Sequence, residues 1–80
     1  GFWGTNGVSP SAGFSTPDIN EAMVKECALS HTQQAYILCD SSKFYHTSPV
    51  TFGEFEDGII LTDRLPDESF KKYENIVVVP

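Results

Sequence analysis

The 80-residue chain is poor in positive charge, in cysteine and in long apolar runs. Five lysines and arginines stand against eleven aspartates and glutamates, a net charge of −6 at pH 7. The densest basic run is Lys71-Lys72. Nucleic-acid backbones are neutralised by clusters of Lys and Arg, so this chain offers no such surface of its own. The two cysteines, Cys27 and Cys39, fall in a helical pattern and in an apolar run. That placement reads as reduced packing residues of a cytoplasmic protein, not as a disulfide framework. With only His31 and His46 beside them, they make no zinc pattern. No stretch approaches the ~20 apolar residues of a membrane span. The N-terminus has no basic segment followed by an apolar core, so no signal peptide is expected. Neither a GxGxxG fingerprint nor a Walker pattern is present, and no cofactor is expected.

Eighty residues make one small domain, which buries roughly 60–65% of the surface its unfolded chain exposes. The opening residues Phe2-Trp3-Gly4 read as the end of a strand. The expectation is therefore a fragment of a longer protein.

Four apolar runs read as strands, near residues 2–4, 35–39, 58–62 and 75–79. They lack polar alternation, as strands covered on both faces do. A helix is expected after Thr16, with Thr16 as cap and Pro17 at its first position. Asp18 and Glu21 offer an alternative capping box. Ile19, Ala22, Met23 and Cys27, widened by Val24 and Ala28, form the expected buried stripe. Glu21 and Lys25 form a helix-surface ion pair in the favourable order. Residues 5–16, rich in Gly, Ser, Asn and Pro, read as a long loop. Residues 41–49 read as a polar connection, 50–52 as a short extended piece and 66–73 as a short helix. Strands alternating with helices imply an α/β fold: a three-layer, mostly parallel, Rossmann-like sheet with helices on both faces.

The candidate chemistry lies where strands end. Asp40-Ser41-Ser42-Lys43 follows the second apolar run, and ligands of open α/β sheets bind at the carboxyl ends of strands. A lysine flanked by serines suits an anion, above all a phosphate; otherwise the segment is a surface turn capped by Asp40 or Ser41. Gly4-Thr5-Asn6-Gly7 and Gly13-Phe14-Ser15-Thr16 form either a ligand-holding loop or a tight turn and a helix cap. Asp63, after Thr62, either caps the turn that follows it or closes the pocket from the other side. His31 and His46 read as surface or loop residues without a catalytic partner.

Together these segments resemble a known family. Gly4-Thr5-Asn6-Gly7-Val8-Ser9, Gly13-Phe14-Ser15-Thr16-Pro17-Asp18, Glu21-Ala22 with Val24-Lys25, Asp40-Ser41-Ser42-Lys43-Phe44 and Ile59-Ile60-Leu61-Thr62-Asp63 are similar to the effector-binding domain of DeoR-family bacterial transcription repressors. The resemblance implies that residues 1–80 are the C-terminal part of a sensor of phosphorylated sugars or related metabolites. It implies that DNA is bound only by a helix-turn-helix domain outside this chain. A homo-oligomeric, cytoplasmic repressor of sugar metabolism is implied, of which the lactose phosphotransferase type is one kind. Tagatose phosphates, fructose phosphates and glycerol phosphate are the effectors that such a family suggests.

The sensor fold is similar to ribose-5-phosphate isomerase and to the glucosamine-6-phosphate deaminase and CoA-transferase group. Where the isomerase pattern has two acids, this chain has Asn6 and Ser9. An amide and a hydroxyl do not act as general bases near neutral pH. The isomerase glutamate matches Glu21, and its Asp-x-Ser-Lys matches Asp40, Ser42 and Lys43. The resemblance thus implies a sensor that keeps ligand-holding groups and lacks catalysis; the alternative is a sugar-phosphate isomerase-like enzyme. The implied ligand set is Gly4, Thr5, Asn6, Gly7, Ser15, Thr16, Glu21, Asp40, Ser42 and Lys43, with no metal.

Overall fold

A computed structural model describes residues 1–79. In chain order the elements are β1 (Phe2–Gly4), β2 (Gly7–Ser9), β3 (Gly13–Thr16), α1 (Ile19–Ser30), β4 (Tyr36–Leu38), β5 (Val50–Gly53), β6 (Ile59–Thr62) and β7 (Ile76–Val78). Short 3₁₀ helices cover Ser41–Lys43, Phe55–Asp57 and Glu68–Lys72. The four apolar runs pair as one parallel sheet in the order β1-β4-β6-β7, as expected.

The long loop is the main departure. Residues 5–16 hold an antiparallel hairpin, β2 and β3, and β5 pairs with β3 to complete a second, three-stranded sheet. Small residues are tolerated in these strands because β3 is buried along its whole length, so packing outweighs propensity. A three-residue turn ends at Gly13 with φ +82°, the left-handed residue that such hairpins need. Ala12 N–H donates to Ser9 Oγ at 3.2 Å and stiffens the turn.

Register shows which face of the parallel sheet is covered. Trp3, Ile37, Ile60 and Ile76 are paired neighbours across the four strands and therefore share a face. Ile37 and Ile60 join Val8, Phe14, Ala22, Phe44, Phe52, Phe55 and Phe70 in the core, with Trp3 and Ile76 packed against it. Each fully buried Phe or Ile contributes about 1.5–3 kcal/mol. The opposite face carries Phe2, Leu38 and Val77, all exposed. The sheet is thus covered on one face by the described residues, although its strands have the composition of doubly covered ones.

Helix α1 starts from the alternative cap, Asp18, and corrects the expectation for Thr16 and for its buried face. Thr16 lies in β3, and Asp18 is the cap, accepting from Asn20 N–H at 2.8 Å and Glu21 N–H at 3.3 Å. Pro17 therefore precedes the helix. Ala22 is buried, but Ile19, Met23 and Val24 are 59%, 64% and 70% exposed. The inner face is instead Ala22, Lys25 and Leu29, positions three and four apart. The expected helix at 66–73 is a five-residue 3₁₀ helix, Glu68–Lys72, capped by Asp67 through Ser69 N–H at 2.8 Å.

Candidate functional site

The carboxyl ends of all four parallel strands meet in a cleft of about 630 Å³. β1 contributes Gly4 and, just beyond it, Thr5; β4 contributes Leu38, then Cys39, Asp40 and Lys43. β6 brings Leu61, Thr62 and then Asp63, and Val79 closes the side after β7. Leu38, Leu61 and Val79 make an apolar wall on the open face of the sheet. The polar groups form the rim.

The rim is held by local hydrogen bonds. Asp40 caps the Ser41–Lys43 turn: it accepts from Ser42 N–H at 2.9 Å and from the Ser42 hydroxyl. Those two bonds hold its carboxyl below the usual range. Asp63 reaches across and accepts from Ser41 N–H at 2.8 Å and from Thr62 Oγ1 at 3.3 Å. Asp63 lines the cleft, but the turn it caps is Ser41–Lys43 across the cleft and not the turn that follows it, as the sequence suggested. Arg64 Nε donates to Ser41 Oγ at 3.2 Å. Phe44 anchors the turn from behind, buried edge-on against Phe70 with centroids 5.1 Å apart. It also bridges to Val8, so the turn is tied to the second sheet. Lys43, half-buried, makes no ion pair with a carboxylate among the described residues. Beside it, burial and the Asp40 charge push the Cys39 thiol up to about 11.

On the β1 side, Thr5 is buried, and its hydroxyl lies 2.9 Å from Gly7 O and 3.1 Å from Ser15 O, shared between the two. Asn6 N–H donates to Ser15 O at 3.1 Å. A Cβ at Gly4 would meet nothing within 4 Å, so the space beside it is open. A Cβ at Gly7 would lie 2.4 Å from His46 O, so only glycine fits that close approach.

The family model for the DeoR C-terminal sensor domain matches residues 1–64. This chain belongs to that family. It is 41% identical over 78 residues to the uncharacterized HTH-type transcriptional regulator FruR of Bacillus subtilis, covering 98% of the chain and 31% of that relative. It is 35% identical over 79 residues to the lactose phosphotransferase system repressor of Staphylococcus epidermidis, again over 98% of the chain and 31% of the relative. With the deoxyribose operon repressor of Escherichia coli it shares 30% over 73 residues, 90% of the chain and 29% of the relative. The chain therefore spans under a third of the length of these curated relatives. The resemblance drawn from the strand-end segments is borne out, and the relatives carry the names of transcription regulators.

Of the residues implied by the DeoR resemblance, the cleft gathers Gly4, Thr5, Asp40 and Lys43. Ser42 is exposed and does not line the cleft; its hydroxyl donates to Asp40. Asn6, Gly7, Ser15, Thr16 and Glu21 do not line the cleft. Ser15 Oγ accepts from Ser48 N–H at 2.9 Å, and Thr16 Oγ1 is buried with no hydrogen-bond partner among the described residues. Glu21 pairs with Lys25 at 2.7 Å. His31, hydrogen-bonded to Cys27 O at 2.8 Å, and His46 are both outside.

Sequence reasoning missed the apolar wall and the inward turn of Lys25. Leu38 and Leu61 were visible as strand residues, but their side of the sheet follows only from register. Lys25 carried a signal in its position, three after Ala22 and four before Leu29.

Proposed function

We propose that this chain is the effector-sensing part of a DeoR-family transcriptional repressor of sugar metabolism, and that its cleft receives the phosphate of a phosphorylated sugar or related metabolite. The observation that carries the reading is Lys43. Lys43 lines the cleft and has no carboxylate in ion-pairing range among the described residues, while Asp40 and Asp63 are engaged by amide and hydroxyl donors. The open space beside Gly4 leaves room for the ligand opposite. Effector binding biases the repressor between DNA-bound and released states only if its affinity for the two differs. DNA contacts belong to another part of the protein, because the longest basic run here is two lysines.

Away from the cleft, the uncovered face with Phe2 and Val77 supports a three-layer, Rossmann-like arrangement in which further segments of the protein pack there. The exposed Ile19, Met23 and Val24 of α1 support assembly of the complete cytoplasmic protein into a homo-oligomer. No catalysis is proposed. Ser9 is occupied in the hairpin turn and Asn6 lies off the cleft, where the isomerase pattern would need two acids.

Thermal unfolding of the complete sensor domain, with sugar phosphates, the parent sugars and inorganic phosphate, tests the reading. A ligand that binds only the folded state adds about 2.7 kcal/mol at a hundredfold excess over Kd. Stabilisation by phosphorylated compounds and not by the parent sugars is expected. Equal stabilisation by both, or by neither, would overturn the phosphate reading. Turnover of ribose 5-phosphate would restore the isomerase alternative.

A further inference from the structure

Lys25 sits on the inner face of α1 between Ala22 and Leu29, which pack into and against the core. Its side chain is only 13% exposed, while Met23 and Val24 face outward. Turning α1 so that a lysine points inward and larger apolar groups point out costs burial energy, and a buried ammonium must be paired to be tolerated. Local rules are broken in this way mainly where a functional demand outweighs them. Lys25 satisfies its ammonium with three contacts. It donates to Gly4 O at 2.7 Å, pairs with Glu21 Oε1 at 2.7 Å, and lies 5.1 Å from the centroid of the Phe52 ring. The contact with Gly4 spans 21 residues and reaches the last residue of β1, on the edge of the cleft.

We propose that Lys25 is a positioning residue for the anion subsite, fixing the Gly4 to Gly7 turn against the Lys43 side of the cleft. The assignment rests on the reading of that cleft as a phosphate site. β1 pairs only with β4 among the described residues, so its end is held by one ladder and needs a second anchor. The Thr5 hydroxyl, shared between Gly7 O and Ser15 O, braces the turn from within. Lys25 braces it from the helix. A wall held on both sides meets the ligand already ordered, which lowers the ordering cost of binding. Lys25 itself acts through the Gly4 carbonyl and does not line the cleft.

The test uses the complete sensor domain, with inorganic phosphate as the probe and amide NMR shifts as the readout. In Lys25→Met, Kd for phosphate is expected to rise about tenfold, since small misplacements of binding groups are costly. Hydrogen exchange at residues 4–7 should quicken while exchange at Ile37 and Ile60 holds. Lys25→Arg keeps a donor for Gly4 O and should stay within about threefold of the wild type. Phosphate binding that is lost in Lys43→Ala but unchanged in Lys25→Met overturns this assignment alone. No phosphate binding by the wild type overturns the cleft reading and this assignment with it. A Lys25→Met variant that only melts earlier, with unchanged Kd, shows a purely structural lysine and overturns the proposal. Should Lys25→Met not fold, Glu21→Gln removes the carboxylate partner and is expected to raise Kd about threefold, with faster exchange at residues 4–7. Unchanged Kd and exchange in that variant would equally overturn it.

Discussion

Replacing Lys43 by alanine separates a ligand-holding lysine from a solvated turn residue. The backbone of the turn does not depend on this side chain. Lys43 N–H donates to Asp40 O at 3.1 Å, Asp40 caps the turn through Ser42, and Phe44 is buried behind it. Substitutions away from core, caps and networks usually change stability by within about 0.5 kcal/mol, and that is the expectation here. Affinity should respond differently. A hydrogen bond to a charged group contributes about 1.5–3 kcal/mol, which converts to roughly ten- to hundredfold in Kd. An exposed Lys–Asp pair would contribute only about 0–1 kcal/mol, and none with Lys43 is found among the described residues. Calorimetric titration of the complete sensor domain, using the sugar phosphate that stabilises it most, measures the difference. Lys43→Ala should weaken binding at least tenfold with an unchanged melting temperature, and the wild-type affinity should fall with added salt. Affinity within about twofold of the wild type would refute the argument, because the threshold lies well below the charge-assisted range. A matching loss of stability and affinity would refute it too, by showing that the side chain supports the fold.

Gly13→Ala places a Cβ 2.1 Å from Gly53 O at a φ of +82°, so chemical denaturation should show a loss of at least about 1–2 kcal/mol. Thr16→Val removes a buried hydroxyl that has no hydrogen-bond partner among the described residues, so stability should hold or rise by up to about 1–2 kcal/mol in the same assay. Phosphate affinity unchanged in Thr16→Val would agree with its place outside the cleft. Alkylation at pH 8 followed by mass spectrometry should label exposed Cys27 well before Cys39, whose thiol is pushed from 9.0 to about 11 by burial and the Asp40 charge. Because folding raises this pKa, the contribution of Cys39 to stability is full below pH 9.0 and is lost between pH 9.0 and about 11; Cys39→Ala should flatten that part of the stability curve.

The sequence by itself determined the parallel sheet and the edge at which its polar segments gather. Uninterrupted runs such as Ile59-Ile60-Leu61 leave no polar face for solvent, and polar residues can begin only where each run stops. That is why Gly4, Asp40, Lys43 and Asp63 could be assigned to one edge before any geometry was known, and why the family pattern was legible in them. Tertiary structure decided the rest, because it turned on contacts between distant segments. Residues 7–9 and 13–16 have the composition of a loop and become strands only because β5, some forty residues away, supplies partners and burial. The helix stripe is equally uninformative taken alone. Ile19 and Met23 satisfy an apolar period as well as Ala22 and Leu29 do, and the inner set is the one that meets the core formed by the second sheet's Phe14 and Phe52. Residues such as Gly7, Ser15 and Thr16 look like a ligand loop in sequence, but the fold turns them behind the cleft, against His46, Ser48 and the buried side of the second sheet. Residue chemistry set which groups can bind an anion; only the pairing and register of the strands decided which of them line the cleft.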